Sequence, residues 1–172
     1  RDIATGEDLP DRIRWVKCSA LSWTKDGKGF FYSRYPEPAP GEQLLAANRN
    51  QKVYYHRVGT SQDEDVLVYE RPDQPEYGLS GRVTDDGRYL LLYVSHGTDR
   101  RNGLHYIDLQ DPVAPVVNGP VVRLLDDFDA SYSVVGNDGP VLYVRTDLDA
   151  PRGRLIAIDL REPARDRWRT II

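Results

Sequence analysis

Residues 84–109, TDDGRYLLLYVSHGTDRRNGLHYIDL, contain the pattern from which the fold can be predicted. A turn signal, Asp-Asp-Gly, leads into the apolar run YLLLYVS, and the polar loop TDRRN then leads into a second run, LHYIDL. Apolar runs bounded by turn residues in this way are typical of antiparallel strands. The run YLLLYV lacks a clean alternation of apolar and polar residues, which indicates a strand buried on both faces.

The same pattern occurs three times along the chain. The segments KVYYHRVG, GLHYIDLQ and RLIAIDLR align on Val53, Leu104 and Leu155, which are spaced 51 residues apart. An Asp-Gly pair precedes each segment, at positions 26–27, 86–87 and 138–139, and a further short apolar run follows it. Self-similarity with a period near 50 residues indicates a propeller or a similar array.

Each repeat has room for four strands, which is the content of one propeller blade. In the first repeat these are VKCSALSW, GFFYSRY, KVYYHRV and DVLVYE. We therefore predict an all-β chain of three four-stranded antiparallel blades, at about residues 12–70, 78–127 and 128–172. The best helix candidate is EQLLAANRN at 42–50, where we expect a turn or two in a loop.

Three blades do not close a propeller. Rings contain about 4 to 8 blades, so three copies leave two apolar blade faces uncovered. Such faces favour aggregation. We therefore expect the chain to be part of a larger ring or to assemble with other copies.

The composition is that of an ordinary soluble globular chain. The 172 residues carry a net charge of −4 and are 40% hydrophobic, and no basic stripe with interleaved aromatic residues suggests nucleic-acid binding. Cys18 is the only cysteine, which excludes an internal disulfide framework and fits a reducing compartment. With no apolar run long enough to span a bilayer, we expect a cytoplasmic protein without membrane contact.

The residue patterns predict no catalytic or metal site within these residues. His56 and His105 occupy matching places in two repeats, which indicates packing positions repeated by the architecture. No Cys/His spacing typical of zinc sites is present. Ser95, His96 and Asp99 follow one another in SHGTD, but adjacent residues at a strand end rarely converge into a triad.

Acidic residues at the turns invite a calcium interpretation, because calcium prefers oxygen ligands. The three Asp-Gly pairs lack further carboxylates at alternate positions, whereas Gly and Asp are what a tight hairpin turn requires. We predict turns. The acidic segment SQDEDV at 61–66 is interpreted as a solvated loop that protects an outer strand.

Three longer stretches carry a resemblance to a known family. They are WTKDGKGFFYSRYPEP (23–38), NQKVYYHRVGTSQDEDVLVYERPDQPE (50–76) and SGRVTDDGRYLLLYVSHGTDRRNGLHYIDL (80–109). Together they resemble the propeller of prolyl oligopeptidase, and the combination Q-K-[VL]-Y-Y-H-x-x-G-T-x-Q-x-E-D is specific to it. The resemblance covers the whole chain but only an internal part of the family's seven-bladed ring. The family's peptidase domain, an α/β-hydrolase, has no counterpart in these residues.

The resemblance implies a function for the parent protein: a serine peptidase that cuts short peptides after proline, without a cofactor or metal. The propeller would restrict access to the active site on the peptidase domain. Three family positions that touch substrate fall on Cys18, Gly78 and Thr98, each of a different residue type here. Other interpretations stay open: Cys18 as a small buried residue, Gly78 as a backbone position where a strand begins, and Thr98 as a residue that forms a turn. Cys18 and Gly78 lie where the first strands of their blades are predicted to begin, and Thr98 follows a second strand. We therefore expect all three residues on one rim of the propeller.

A second function class stays open. The chain could instead be a non-catalytic propeller that serves as a binding or scaffold module, since the fold alone does not define a function. The two classes differ in whether the parent chain continues into a hydrolase domain with a nucleophilic serine.

Overall fold

The computed structural model describes residues 1, 3–41 and 47–172. Its strands form three separate four-stranded antiparallel sheets, which we name blades 1, 2 and 3 in chain order. The prediction of a nearly all-β chain with three such blades is confirmed. Blade 1 contains β1 (Ser22–Trp23), β2 (Gly29–Arg34), β3 (Lys52–Arg57) and β4 (Val66–Tyr69). Blade 2 contains β5 (Tyr77–Val83), β6 (Tyr89–His96), β7 (Asn102–Asp108) and β8 (Val122–Leu125). Blade 3 contains β9 (Tyr132–Asp138), β10 (Val141–Thr146), β11 (Arg154–Asp159) and β12 (Arg169–Thr170).

Helical structure in the described residues is confined to two single turns of 3₁₀ helix, Gln62–Glu64 and Arg165–Arg167. Of the helix candidate at 42–50, residues 42–46 lie outside the described residues, and residues 47–50 are not helical.

The Asp-Gly segments form tight turns between antiparallel strands. In blade 2, the Thr84 hydroxyl and the Arg88 backbone N–H both donate to Asp86 Oδ1, at 2.6 and 3.0 Å. Gly87 has a φ of 77°, which favours glycine because it has no Cβ. Blade 1 repeats the arrangement at Asp26, with bonds of 2.6 and 3.1 Å. The side chains of Asp26 and Asp86 thus accept hydrogen bonds within their own turns, as the turn interpretation predicts.

The position of β6 between two cores explains why its sequence does not alternate between apolar and polar residues. Leu90 and Leu92 pack into the core between blades 1 and 2, while Leu91 packs into the core between blades 2 and 3. All three are at most 2% exposed. Burying one such side chain contributes about 1.5–3 kcal/mol, so a strand between two blades gains from being apolar on both faces.

Two expectations about strands and loops were wrong. The first strand of blade 1, predicted over 16–23, is only Ser22–Trp23. Trp15 and Cys18 have φ values of 62° and 51°, which an extended strand cannot accommodate. The acidic segment 61–66 is not simply a solvated loop, because it contains the 3₁₀ turn and the side chain of Asp65 is completely buried.

The face of blade 1 that points away from blade 2 is partly covered by the N-terminal segment (residues 11–15). Gln62 exchanges two hydrogen bonds with the backbone of Arg14, at 3.0 and 3.1 Å. The Tyr35 backbone N–H donates to the Trp15 carbonyl at 3.1 Å. On blade 3, Val134 packs toward blade 2, whereas its neighbour Val135 is 55% exposed on the opposite face.

Candidate functional site

A cavity of about 240 Å³ lies between blades 1 and 2 at the rim opposite the Asp-Gly turns. We call it the rim cavity. Its position follows from the register of β5 and β6, in which Val83 pairs with Leu90 beside the turn and Gly78 pairs with Ser95 at the other end. The residues that line it are Cys18, Tyr35, Gln51, Glu76, Gly78, Leu79, Ser80, Ser95 and Gly97.

Cys18 lies on one wall of the rim cavity. It is exposed and its thiol is free. It precedes β1 rather than starting a strand, so its backbone has no strand partner among the described pairings. Beside it, burial and the neighbouring Cys18 raise the pKa of the Tyr35 phenol above its ordinary value.

Gly78 forms the facing wall. A Cβ at this position would lie 2.6 Å from Ser95 Oγ and 3.5 Å from Gln51 Oε1. The Ser95 hydroxyl donates to the Gly78 carbonyl at 3.3 Å. The absence of a side chain at 78 is therefore what leaves the space between Ser95 and Gln51 open.

Thr98 lies on the same rim but outside the cavity lining. It is exposed in the turn after β6, next to Gly97, which does line the cavity. The structure thus brings Cys18 and Gly78 together in one cavity and puts Thr98 on its border. Contact of these three residues with a peptide stays a prediction.

The charged groups at the cavity mouth are partly paired. Arg49 Nη2 lies 2.7 Å from the Glu76 carboxylate, and His96 Nε2 lies 3.8 Å from it. These side chains are more than half exposed, so water screens their interactions and each contributes little stability.

The segment SHGTD does not form a catalytic triad. Ser95 Oγ is bonded to Gly78, and His96 faces Glu76 rather than Ser95. Asp99 forms a bidentate pair with Arg101, which lowers the pKa of Asp99 to about 2. Across the described ranges no cluster of three or more His, Cys, Asp or Glu side chains could hold a metal ion. The described residues include no helix that is long and apolar enough to cross a membrane.

His56 and His105 are both fully buried, as their repeated packing positions predict, but their partners differ. His56 lies between two carboxylates, Asp65 at 2.6 Å and Asp11 at 2.9 Å. Burial lowers the pKa of His56, but the bonds to Asp11 and Asp65 raise it more, so the net shift is upward. His105 lies between Asp126 at 3.0 Å and the Tyr69 hydroxyl at 2.8 Å, and burial gives it a net downward pKa shift.

Sequence reasoning missed two carboxamides that connect the blades. Gln51 is 3% exposed, and its Oε1 accepts a hydrogen bond from the Leu79 backbone N–H at 2.8 Å. Asn102, one period of 51 residues later, accepts from the Tyr132 backbone N–H at 2.8 Å. The repeat spacing was the signal that could have found them, since Gln51 immediately precedes the third strand of blade 1 and Asn102 begins the third strand of blade 2.

Comparison with known proteins decides the family. The sequence model of the family described as "Prolyl oligopeptidase, N-terminal beta-propeller domain" matches residues 1–172. The chain belongs to this family. Prolyl oligopeptidase A of Amanita bisporigera is 41% identical over 160 residues, covering 90% of this chain and 21% of that protein. The prolyl endopeptidase of Elizabethkingia meningoseptica is 34% identical over 173 residues, covering 99% of this chain and 23% of that protein.

Solved structures of prolyl oligopeptidases have the same fold as this segment. Prolyl oligopeptidase B from Galerina marginata, as the S577A mutant bound to a 35mer hydrolysis and macrocyclization substrate, matches with a TM-score of 0.85 and 35% identity. The match covers 99% of this chain and 23% of that one. The chain therefore spans about a fifth of the length of these prolyl oligopeptidase relatives.

Proposed function

We propose that this chain is the propeller segment of a prolyl-oligopeptidase-type serine peptidase, and that the parent protein cleaves short peptides after proline. In this proposal the catalytic groups lie on a separate α/β-hydrolase domain, and the propeller limits which substrates reach them. The observation that carries the proposal is the family match, which spans all 172 residues and names this part of a prolyl oligopeptidase.

The gating role is supported by the way the blades pack. Each blade buries one face against the next through a core of fully buried side chains such as Leu92 and Leu142. Side chains in such cores are close-packed, so a ring built from these blades is a stiff wall around its channel. A stiff, narrow entrance admits flexible peptides and excludes folded proteins.

Cys18, Gly78 and Thr98 are the residues that we propose to contact peptide. The rim cavity is lined by the Cys18 thiol, the Gly78 backbone and the Tyr35 ring. Its surface is therefore partly apolar and partly polar, as in sites that bind peptide side chains. In this proposal the partners of the chain are the remaining blades and the peptidase domain. The parent protein acts in the cytoplasm, a reducing compartment that the single cysteine fits.

The test uses the parent protein. A short fluorogenic peptide with proline before the scissile bond should be cleaved, and the same peptide with alanine there should be cleaved much more slowly. A folded protein with proline in surface loops should stay intact. If the parent chain has no nucleophilic serine and neither peptide is cleaved, the chain is a binding or scaffold module instead.

A further inference from the structure

Gln51 contacts the backbone on both sides of the rim cavity. Its Nε2 donates to the Lys17 carbonyl at 3.1 Å and to the Cys18 carbonyl at 3.5 Å. Its Oε1 accepts from the N–H of Leu79, the residue after Gly78, at 2.8 Å. One buried side chain therefore connects the wall that contains Cys18 with the wall that contains Gly78.

The segment that contains Cys18 is also attached to blade 1 on either side, where Ser19 Oγ accepts from the Ser33 N–H at 2.8 Å and the Trp15 carbonyl accepts from the Tyr35 N–H at 3.1 Å. Strand β1 pairs with β2 only at Ser22 and Trp23, so the residues before it are outside the ladder. Cys18 also has a φ of 51°, a conformation that is costly for a residue with a Cβ unless its surroundings hold it. The Gln51 carboxamide supplies such a hold, because its N–H group is directed at the Cys18 carbonyl.

Asn102 is the residue at the matching position between blades 2 and 3. Comparison of its contacts with those of Gln51 shows what is particular to Gln51. Asn102 accepts from the Tyr132 N–H at 2.8 Å and donates to the Tyr132 carbonyl at 3.2 Å and the Gly103 carbonyl at 3.0 Å. It connects blades 2 and 3 in the same way, but within the described residues the hydrogen bonds of its shorter side chain go only to Gly103 and Tyr132, which lie within strands. The carbonyl of Ala130, before β9, accepts instead from the Asn102 backbone N–H at 3.1 Å. At the third equivalent position the residue is Gly153, which has no side chain.

We propose that Gln51 is a positioning residue, which sets the width of the rim cavity by holding the Cys18 backbone against the second blade. The consequence for peptide binding rests on the proposed function, whereas the positioning itself does not. Asn102 forms an equivalent hydrogen bond between blades 2 and 3, so substitution of Asn102 is a matched control with the same chemistry.

The first experiment follows the Cys18 environment by ¹⁹F NMR, with a trifluoromethyl group attached to this single thiol of the chain. The unsubstituted chain should give one narrow line. Gln51→Leu should shift and broaden or split this line, because the loss of one hydrogen bond changes a local opening equilibrium by about threefold to tenfold. Asn102→Leu should lower the thermal midpoint of unfolding by about as much as Gln51→Leu does, but it should leave the ¹⁹F line in place. Equal changes in the line for both variants, or none for either, would overturn the proposal.

A second variant covers the case in which Gln51→Leu does not fold. Gln51→Glu keeps an oxygen that accepts from the Leu79 N–H but replaces the amide donor with a carboxylate that faces the Lys17 and Cys18 carbonyls. It should move the ¹⁹F line at neutral pH, and Gln51→Asn, which keeps an amide donor, should move it less. A Gln51→Glu line that coincides with that of the unsubstituted chain also overturns the proposal.

The parent protein supplies the kinetic test. Gln51→Leu should raise KM for the proline peptide about threefold to tenfold with little change in kcat, while Asn102→Leu should change neither. If the parent has no peptidase activity, the proposed function fails, and the ¹⁹F result still decides the positioning role. If the ¹⁹F line moves and KM does not, the cavity is positioned as proposed but does not bind the peptide.

Discussion

The His56 imidazole and the Asp11 carboxylate, 2.9 Å apart, join the N-terminal segment to the outer face of blade 1. The other imidazole nitrogen faces Asp65 at 2.6 Å, so both ring nitrogens point at carboxylates and both must donate. A ring that donates at both nitrogens is an imidazolium. His105 differs because it donates to Asp126 and accepts from the Tyr69 hydroxyl, which a neutral ring can do.

The first prediction concerns Asp65, whose side chain accepts hydrogen bonds from His56 and from the Tyr32 hydroxyl, the latter at 2.5 Å. Asp65→Leu should lower the free energy of unfolding by about 3–5 kcal/mol, because it leaves a buried cation without one partner. Asp63→Leu, in the same acidic segment but exposed, should change it by less than about 0.5 kcal/mol. Urea unfolding of both variants checks this, and equal losses would contradict it.

The second prediction is a pH dependence with opposite signs at the two histidines. The folded pKa of His56 is raised above 6.5, so its contribution to stability is complete below that value and is lost as the pH rises through the folded pKa. The folded pKa of His105 is lowered below 6.5, so its contribution is present above that value and is lost as the pH falls through the folded pKa. Thermal midpoints between about pH 5 and about pH 9 should therefore decline at both ends.

Asp11→Asn separates these contributions. The asparagine keeps an oxygen to accept from Gly59 N and His56 but removes the charge, so the pKa of His56 should fall. The alkaline decline should then begin at lower pH and become shallower, with the acid decline from His105 unchanged. An alkaline decline identical to that of the unsubstituted chain would show that His56 is not charged in the native state.

The third prediction concerns Gly78, on one wall of the rim cavity. Gly78→Met should destabilise the chain by about 1–3 kcal/mol, because its Cβ would lie 2.6 Å from Ser95 Oγ. Ser95→Ala removes that oxygen, so the double variant should recover most of the loss. A double-mutant cycle by urea unfolding measures this coupling, and strict additivity of the two changes would refute the contact.

The fourth prediction concerns peptide binding in the parent protein. Cys18→Phe should fill much of the rim cavity of about 240 Å³ and change KM for peptides with bulky side chains roughly tenfold. The pH dependence of kcat should stay the same, because the catalytic groups lie on another domain in the proposed function. An unchanged KM across peptides that differ in bulk would remove Cys18 from the binding site.

The fifth prediction is that the 172-residue chain alone does not hydrolyse peptides. Ser95, His96 and Asp99 each have other partners and do not converge. A fluorogenic proline peptide incubated with the purified chain should stay intact. Cleavage that disappears in Ser95→Ala or His96→Ala, but not in Ser80→Ala, would contradict this.

The architecture could be predicted from the sequence because the features that encode it are local and repeated. The spacing of Val53, Leu104 and Leu155 indicated three equivalent units, and the Asp-Gly turns indicated where their strands reverse. The apolar run in β6 indicated a strand between two layers, since both of its faces had to be buried. Turn chemistry and burial patterns depend on neighbours within a few residues, so they can be read along the chain.

Contacts between residues that are distant in the sequence could not be predicted and are visible only in the folded chain. The acidic segment 61–66 looked solvated because nothing near Asp65 in the sequence shows that His56 and Tyr32 enclose its carboxylate. Nothing near Cys18 in the sequence shows its left-handed backbone, or that its carbonyl accepts from the carboxamide of Gln51, 33 residues away. A hydrogen bond between blades costs chain entropy that only the assembled cores repay, so its partners are defined when the blades pack and not before.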